Sequence, residues 1–214
     1  MTSPIIPFNP LDRKNLGASV AEALLSQDAV TLSALTEFKG AGIYALYYTG
    51  KFPAYATIAE GNSKERFAIP IYIGKAVPPG SRKGIEPSSG TTRVLYSRLA
   101  EHRDSINLVK NLEIRDFYCR FLVTEDIWIP LGEALLISRF TPIWNSIIDG
   151  FGNHDPGKGR YEGMCPRWDV LHPGRGWATK CKQRPETADE INREIIAFLK
   201  SKPAIQSQKF IKAD

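Results

Sequence analysis

GAGIYALYYTG at residues 40–50 and IYIGKAVPPG at residues 71–80 are the two stretches that decide how this chain folds. In the first, Ile43 to Tyr48 is β-branched and aromatic and follows glycines, which predicts a strand. In the second, the run Ile69 to Lys75 (IPIYIGK) predicts another short strand. A third is predicted over Phe117 to Val123 (FYCRFLV). Residues 49–68, between the first two strands, are mixed in character and read as an insertion.

Helical patterns surround these strands. Leu16, Val20, Ala23 and Leu24 recur at helical spacing within Leu11 to Ser26. Leu95, Leu99, Ile106 and Val109 mark one apolar face of Arg93 to Val109. Pro130 to Phe140 reads as a helix with proline suited to its first turn and Pro142 ending it. Thr187-Ala188-Asp189-Glu190 is a capping box for a last helix ending near Lys200. The expected fold is therefore α+β, a small α/β/α sandwich around a three-stranded, antiparallel-type sheet. Its expected parts are an N-terminal arm and helix (1–39), a core (40–150) with the 49–68 insertion, and C-terminal loops with a helix (151–214). The three form one compact unit.

Bulk properties narrow the function less. The chain has 214 residues, a net charge of +5 and a pI near 9.1. Such a balance favours polyanionic partners without proving one. Residues 151–184 carry seven Lys or Arg against three Asp or Glu, a net of +4. Trp168, Leu171 and Trp177 would give that segment a small core of its own. Cys119, Cys165 and Cys181 form no CxxC pair, so neither a zinc site nor a disulfide framework is indicated. No stretch approaches the ~18 apolar residues of a membrane span, and no signal-type apolar run opens the chain, so a cytoplasmic protein is expected.

Chemistry enters through an ordered set. Gly42-Ile43-Tyr44 on the first strand and Tyr72-Ile73-Gly74 on the second are followed by Arg98 and His102 on one helix, Glu133 on the next and then Asn145. That order resembles the GIY-YIG nuclease superfamily. RLAEH (98–102), WNSIIDGFGNHDPGKGR (144–160) and WDVLHPGRGWATKC (168–181) extend the resemblance to its type II restriction endonucleases, the branch that cuts the palindrome CCGCGG. The 27 residues between Tyr44 and Tyr72 exceed the common spacing of the superfamily and are a feature of that branch.

The resemblance implies a DNA endonuclease that uses Mg²⁺, with Mn²⁺ as a substitute, and acts as a homodimer on double-stranded DNA. It makes Tyr44 the general base and Tyr72 the residue that positions the water or the phosphate, with Lys75 a rival base. The residues themselves leave plainer readings open. Glu133 can hold a hard cation, or be a solvated helix residue. Arg98 and His102, four apart, share a helix face and can neutralise a phosphate and relay a proton, or form a surface pair. Both tyrosines can be sheet core, and Asn145 can hold the site or cap the Pro142 turn. Arg82, Lys83, Arg93, Lys158, Arg160 and Arg175 are the candidate DNA contacts. The alternatives are a structure-specific repair or mobile-element nuclease of the same superfamily, and a catalytically dead DNA-binding domain.

Overall fold

A computed structural model describes residue 9 and residues 11–64, 66–78, 92–157, 159 and 161–202. Its centre is a sheet whose strands are β1 (Val30–Thr31), β2 (Gly42–Tyr48), β3 (Pro70–Ala76) and β4 (Phe117–Val123). All pairings are antiparallel and the order is β1-β4-β2-β3. The sheet thus has four strands where three were expected. The added edge is two residues long, too short to show an alternating pattern.

Every residue of β2 is buried, because helices cover both faces of the sheet. Ile43, Ala45, Tyr47 and Ile73 face α1 (Arg13–Leu25) and α4 (Ile129–Phe140), packing with Ala21, Leu24, Leu136 and Phe140. Tyr44, Leu46 and Tyr48 face the other way, onto Leu95, Leu99 and Ile106 of α3 (Val94–Leu108). This second core continues through Trp144 of α5 (Ile143–Ser146), Trp168 of α6 (Arg167–Leu171) and Ile191 of α7 (Ala188–Ser201). The architecture is the expected α/β/α sandwich. The 49–68 insertion contributes α2 (Ala56–Asn62) and buries Tyr55 and Ile58 against that second core.

Local signals were obeyed closely. Thr187 and Glu190 form the reciprocal capping box of α7. Helix α4 has proline in its first turn and ends on Thr141 in the left-handed region, with Lys202 Nζ donating to the Phe140 and Thr141 carbonyls. The three thiols are free. Among the described residues no helix is long and apolar enough to cross a membrane.

Candidate active site

Strand register builds the site. Tyr44 on β2 lies opposite Gly74 on β3, and Leu46 lies opposite Tyr72. Tyr44 and Tyr72 are therefore diagonal neighbours on one face, with ring centroids 6.2 Å apart. The glycine opposite Tyr44 is dictated by sterics. A Cβ at position 74 would sit 2.3 Å from the Tyr44 hydroxyl oxygen. Gly42 is fixed in the same way, since a Cβ there would meet the Leu122 carbonyl oxygen at 1.9 Å.

Helix α3 brings the next pair. Arg98 and His102 project from consecutive turns toward the tyrosines. His102 is buried, and its Nε2 lies 2.5 Å from the Tyr44 hydroxyl. Burial first, and then the charges of Arg98, His154 and Arg175, hold the His102 imidazole well below the usual histidine range. Burial first, and then Tyr72, push the Tyr44 phenol well above the usual tyrosine range, against the opposing pull of Arg98. The neutral Tyr44 O–H therefore donates to an unprotonated His102 Nε2. A surface pair is excluded by this burial, and the phenol is not pre-ionised by its cationic neighbour.

Arg98 is held from the basic segment that follows α5. Its Nη2 donates to the Gly152 carbonyl at 2.8 Å. Its Nη1 donates to His154 Nε2 at 2.6 Å and to Glu101 Oε2 at 3.1 Å. The Phe151 ring stacks on His102 at 4.5 Å. Phe151, Gly152 and His154 are parts of the site that sequence reasoning missed. The available signal was weak: one of only three histidines, lying within the quoted 144–160 stretch.

Glu133 lies across the sheet from His102. Lys75 pairs with Ile43 in the register, so it faces α4 rather than α3. Its Nζ donates to Glu133 Oε2 at 2.6 Å, and the carboxylate is 17% exposed. The charge of Glu133 still reaches around the β3 edge, where it raises both Tyr44 and Tyr72. Among the described residues no group of three or more His, Cys, Asp or Glu side chains could hold a metal ion. One half-buried carboxylate at an open sheet edge fits Mg²⁺, which commonly takes one or two carboxylates and fills its shell with water and phosphate oxygens.

Asn145 proves to be a clamp on the edge strand. Its Oδ1 accepts from the Ile73 amide and its Nδ2 donates to the Ile73 carbonyl, both at 2.8 Å. The side chain holds the central residue of Tyr72-Ile73-Gly74 in place and is not a cap of the Pro142 turn.

The model of a family described as the Eco29kI GIY-YIG domain matches residues 36–199, far more than half of the chain. The chain belongs to the Eco29kI GIY-YIG family. It is therefore a GIY-YIG nuclease of the restriction type, a hydrolase that cuts DNA and binds it. No curated protein matches the chain.

Membership in this nuclease family sharpens the question of which cations face DNA. Arg82, Lys83, Lys158 and Arg160 lie outside the described residues. Arg93 is exposed and paired with Glu37 at 2.7 Å. Arg175 must be reassigned, because it is 2% exposed and all five of its N–H donors are taken internally. Arg167 and Arg184 are likewise tied to Glu186, with Glu194 adding to Arg167 and Asp149 to Arg184. The +4 of residues 151–184 is therefore not one continuous basic surface. Three of its seven cations are held in internal ion pairs with Asp149, Asp169, Glu186 and Glu194.

Proposed function

We propose that this chain is a type II restriction endonuclease that acts as a homodimer on duplex DNA. Its site is a palindrome, CCGCGG, and its cofactor is Mg²⁺, with Mn²⁺ able to substitute. Its working compartment is the cytoplasm. The observation that carries the reading is the short Tyr44–His102 hydrogen bond, set in the joint field of Arg98 and Glu133.

The reaction joins a water oxygen to phosphorus and breaks the bond from phosphorus to the leaving oxygen. Tyr44 takes the water's proton as its own proton passes to His102 Nε2, so no free phenolate is needed beforehand. The low proton affinity of His102 makes this transfer brief, and the proton returns to solvent afterwards. Arg98 exchanges the Gly152 and His154 contacts for the phosphate, whose developing charge its fork can bind bidentately. That exchange also opens the approach to the fully buried Tyr44. Tyr72 lines this approach and orients the water. Glu133 would hold the metal, which when bound supplies charge neutralisation at the phosphate and lowers the pKa of its bound water. Lys75 serves the site by pairing with Glu133. Its amine is engaged with Glu133 on the face of the sheet opposite Tyr44, His102 and Arg98, which favours Tyr44 as the base. A palindrome read by identical subunits needs two-fold symmetry, and each subunit then cuts one strand.

Digestion of a plasmid with a single CCGCGG site, with and without Mg²⁺, tests the reading beside a site-free control. Linear product only with both site and Mg²⁺ is the expected result. Discrete fragments from the control would overturn the CCGCGG assignment, and cleavage in the presence of a chelator would overturn the Mg²⁺ requirement. DNA binding without any cleavage would favour an inactive binding domain.

A further inference from the structure

Arg175 is a buried arginine with five internal hydrogen bonds that the mechanism above does not use. Its Nε donates to Asp169 Oδ1 at 2.7 Å, and its Nη2 donates to Asp169 Oδ2 at 2.5 Å. The remaining donors go to main chain. Nη2 reaches the Gly150 carbonyl at 2.8 Å, and Nη1 reaches the Phe151 and Asn153 carbonyls at 3.1 and 3.0 Å. The indoles of Trp168 and Trp177 lie 4.5 and 4.8 Å from the guanidinium carbon. A buried ion pair is weak evidence for stability, because desolvation offsets most of the attraction. What this one does specify is the path of an irregular segment.

That segment holds the reacting side chains. The carbonyls of 151 and 153 turn toward Arg175, while the carbonyl of 152, between them, accepts from Arg98. Phe151 stacks on His102, and His154 accepts from Arg98. Gly152 lies close against Arg98 and Tyr72, since a Cβ there would lie 2.9 Å from Arg98 Nη2 and from the Tyr72 hydroxyl. We propose that Arg175 is a positioning residue of the nuclease reaction, fixing residues 150–154 so that they hold Arg98 and His102 in register with Tyr44. This inference rests on the roles given above to Arg98 and His102. Misplacement of a reacting group by about 1 Å from afar can cost about 100-fold in rate.

The test is Arg175→Lys. Lysine keeps a cation beside Asp169 but has only three donors on one nitrogen, so it cannot also hold three carbonyls. Three quantities are read on the full chain: single-turnover cleavage rate, DNA affinity, and the titration of the His102 ring nitrogens by NMR without DNA. The charged and titratable groups around His102 are Tyr44, Tyr72, Arg98, His154 and Arg175 itself. Only the last changes, and its charge is kept. The expected result is a folded protein that binds DNA within about threefold of wild type and cleaves about 30- to 100-fold more slowly. Its His102 midpoint moves upward, toward the usual histidine range, because a loosened Phe151 admits water. A folded variant with wild-type rate and an unmoved His102 midpoint would overturn the proposal. If Arg175→Lys does not fold, Trp177→Leu loosens the guanidinium from its half-exposed side, and the same readouts decide with a smaller loss of rate. Failure of the wild type to cut DNA would refute the nuclease roles, while the His102 titration would still decide whether Arg175 acts through the 150–154 segment.

Discussion

Two buried tyrosine–histidine pairs occur among the described residues, and they differ in the charges around them. Tyr44 and His102 meet at 2.5 Å, and Tyr55 and His172 meet at 2.6 Å. Burial raises both phenols and lowers both imidazoles. The difference lies around them. His172 is lowered to about 3 by burial alone, and its Nδ1 is paired with Asn111 Oδ1. Trp144 Nε1 donates to the Tyr55 hydroxyl. That pair is a closed strut joining the 49–68 insertion to the C-terminal segment. The Tyr44 pair lies instead in the field of Arg98, Glu133 and His154, one strand from the sheet edge. The contact itself is common to both. Nearby charge distinguishes the pair to which the proposed function gives the proton relay.

The sharpest way to break that distinction is to remove the charge from the first pair. Glu133→Gln should keep specific DNA binding and lose cleavage by about 1,000-fold or more, since metal-assisted charge neutralisation is worth several kcal/mol. Cleavage near the wild-type rate would remove Glu133 from the site. Arg98→Lys keeps the charge but loses the fork and the two-sided hold on Gly152 and His154. Single-turnover rates should fall about 100-fold, with DNA affinity changed less. Equal losses in rate and affinity would make Arg98 a simple binding residue.

A third test concerns the strut. His172 has its folded pKa depressed, so its contribution to stability is complete above the unfolded value near 6.5. That contribution is lost as pH falls toward about 3. Between pH 7 and 5 the loss should be about 2 kcal/mol, measured by urea unfolding. His172→Gln should flatten the slope, and an unchanged slope would contradict the burial account. The smallest effect is expected at the surface. Arg93→Ala breaks an exposed pair with Glu37 and should change stability by less than about 0.5 kcal/mol. The phosphate contact proposed for Arg93 predicts a salt dependence of binding reduced by about one unit of slope, and an unchanged slope would remove Arg93 from the DNA contacts.

Much of this was legible in the residues. The strands Gly42–Tyr48, Pro70–Ala76 and Phe117–Val123 carry β-branched and aromatic runs, and α7 announces its start through Thr187 and Glu190. The ordered tyrosines, arginine, histidine and glutamate pointed to the nuclease family that the family match then showed. Other features left no local trace. Val30–Thr31 is too short for a period. Helix α2 lies in a segment without clear amphipathic spacing. His102 sits between Glu101 and Arg103, so its neighbours in sequence suggest solvent while the helix turns it inward. The net charge of residues 151–184 is plain in the sequence, but the partners of its cations are not. Whether Arg167, Arg175 and Arg184 meet DNA or Asp149, Asp169, Glu186 and Glu194 depends on contacts across the fold. For Asn145 the sequence leaves both the site and a turn open, because its two bonds to Ile73 depend on β3 lying at the sheet edge.

The most direct measurement sets the two pairs side by side. Tyr44→Phe and Tyr55→Phe delete the same hydroxyl, and each is measured for unfolding free energy and for single-turnover cleavage of a DNA carrying the site. Tyr44→Phe should stay folded and lose at least about 100-fold in rate, the lower range for removing an acid–base group. Tyr55→Phe should keep its rate within about twofold and lose about 1–3 kcal/mol of stability, because His172 Nε2 and Trp144 Nε1 lose their buried partner. Equal rates for the two variants would contradict the assignment of the proton relay to Tyr44 and His102.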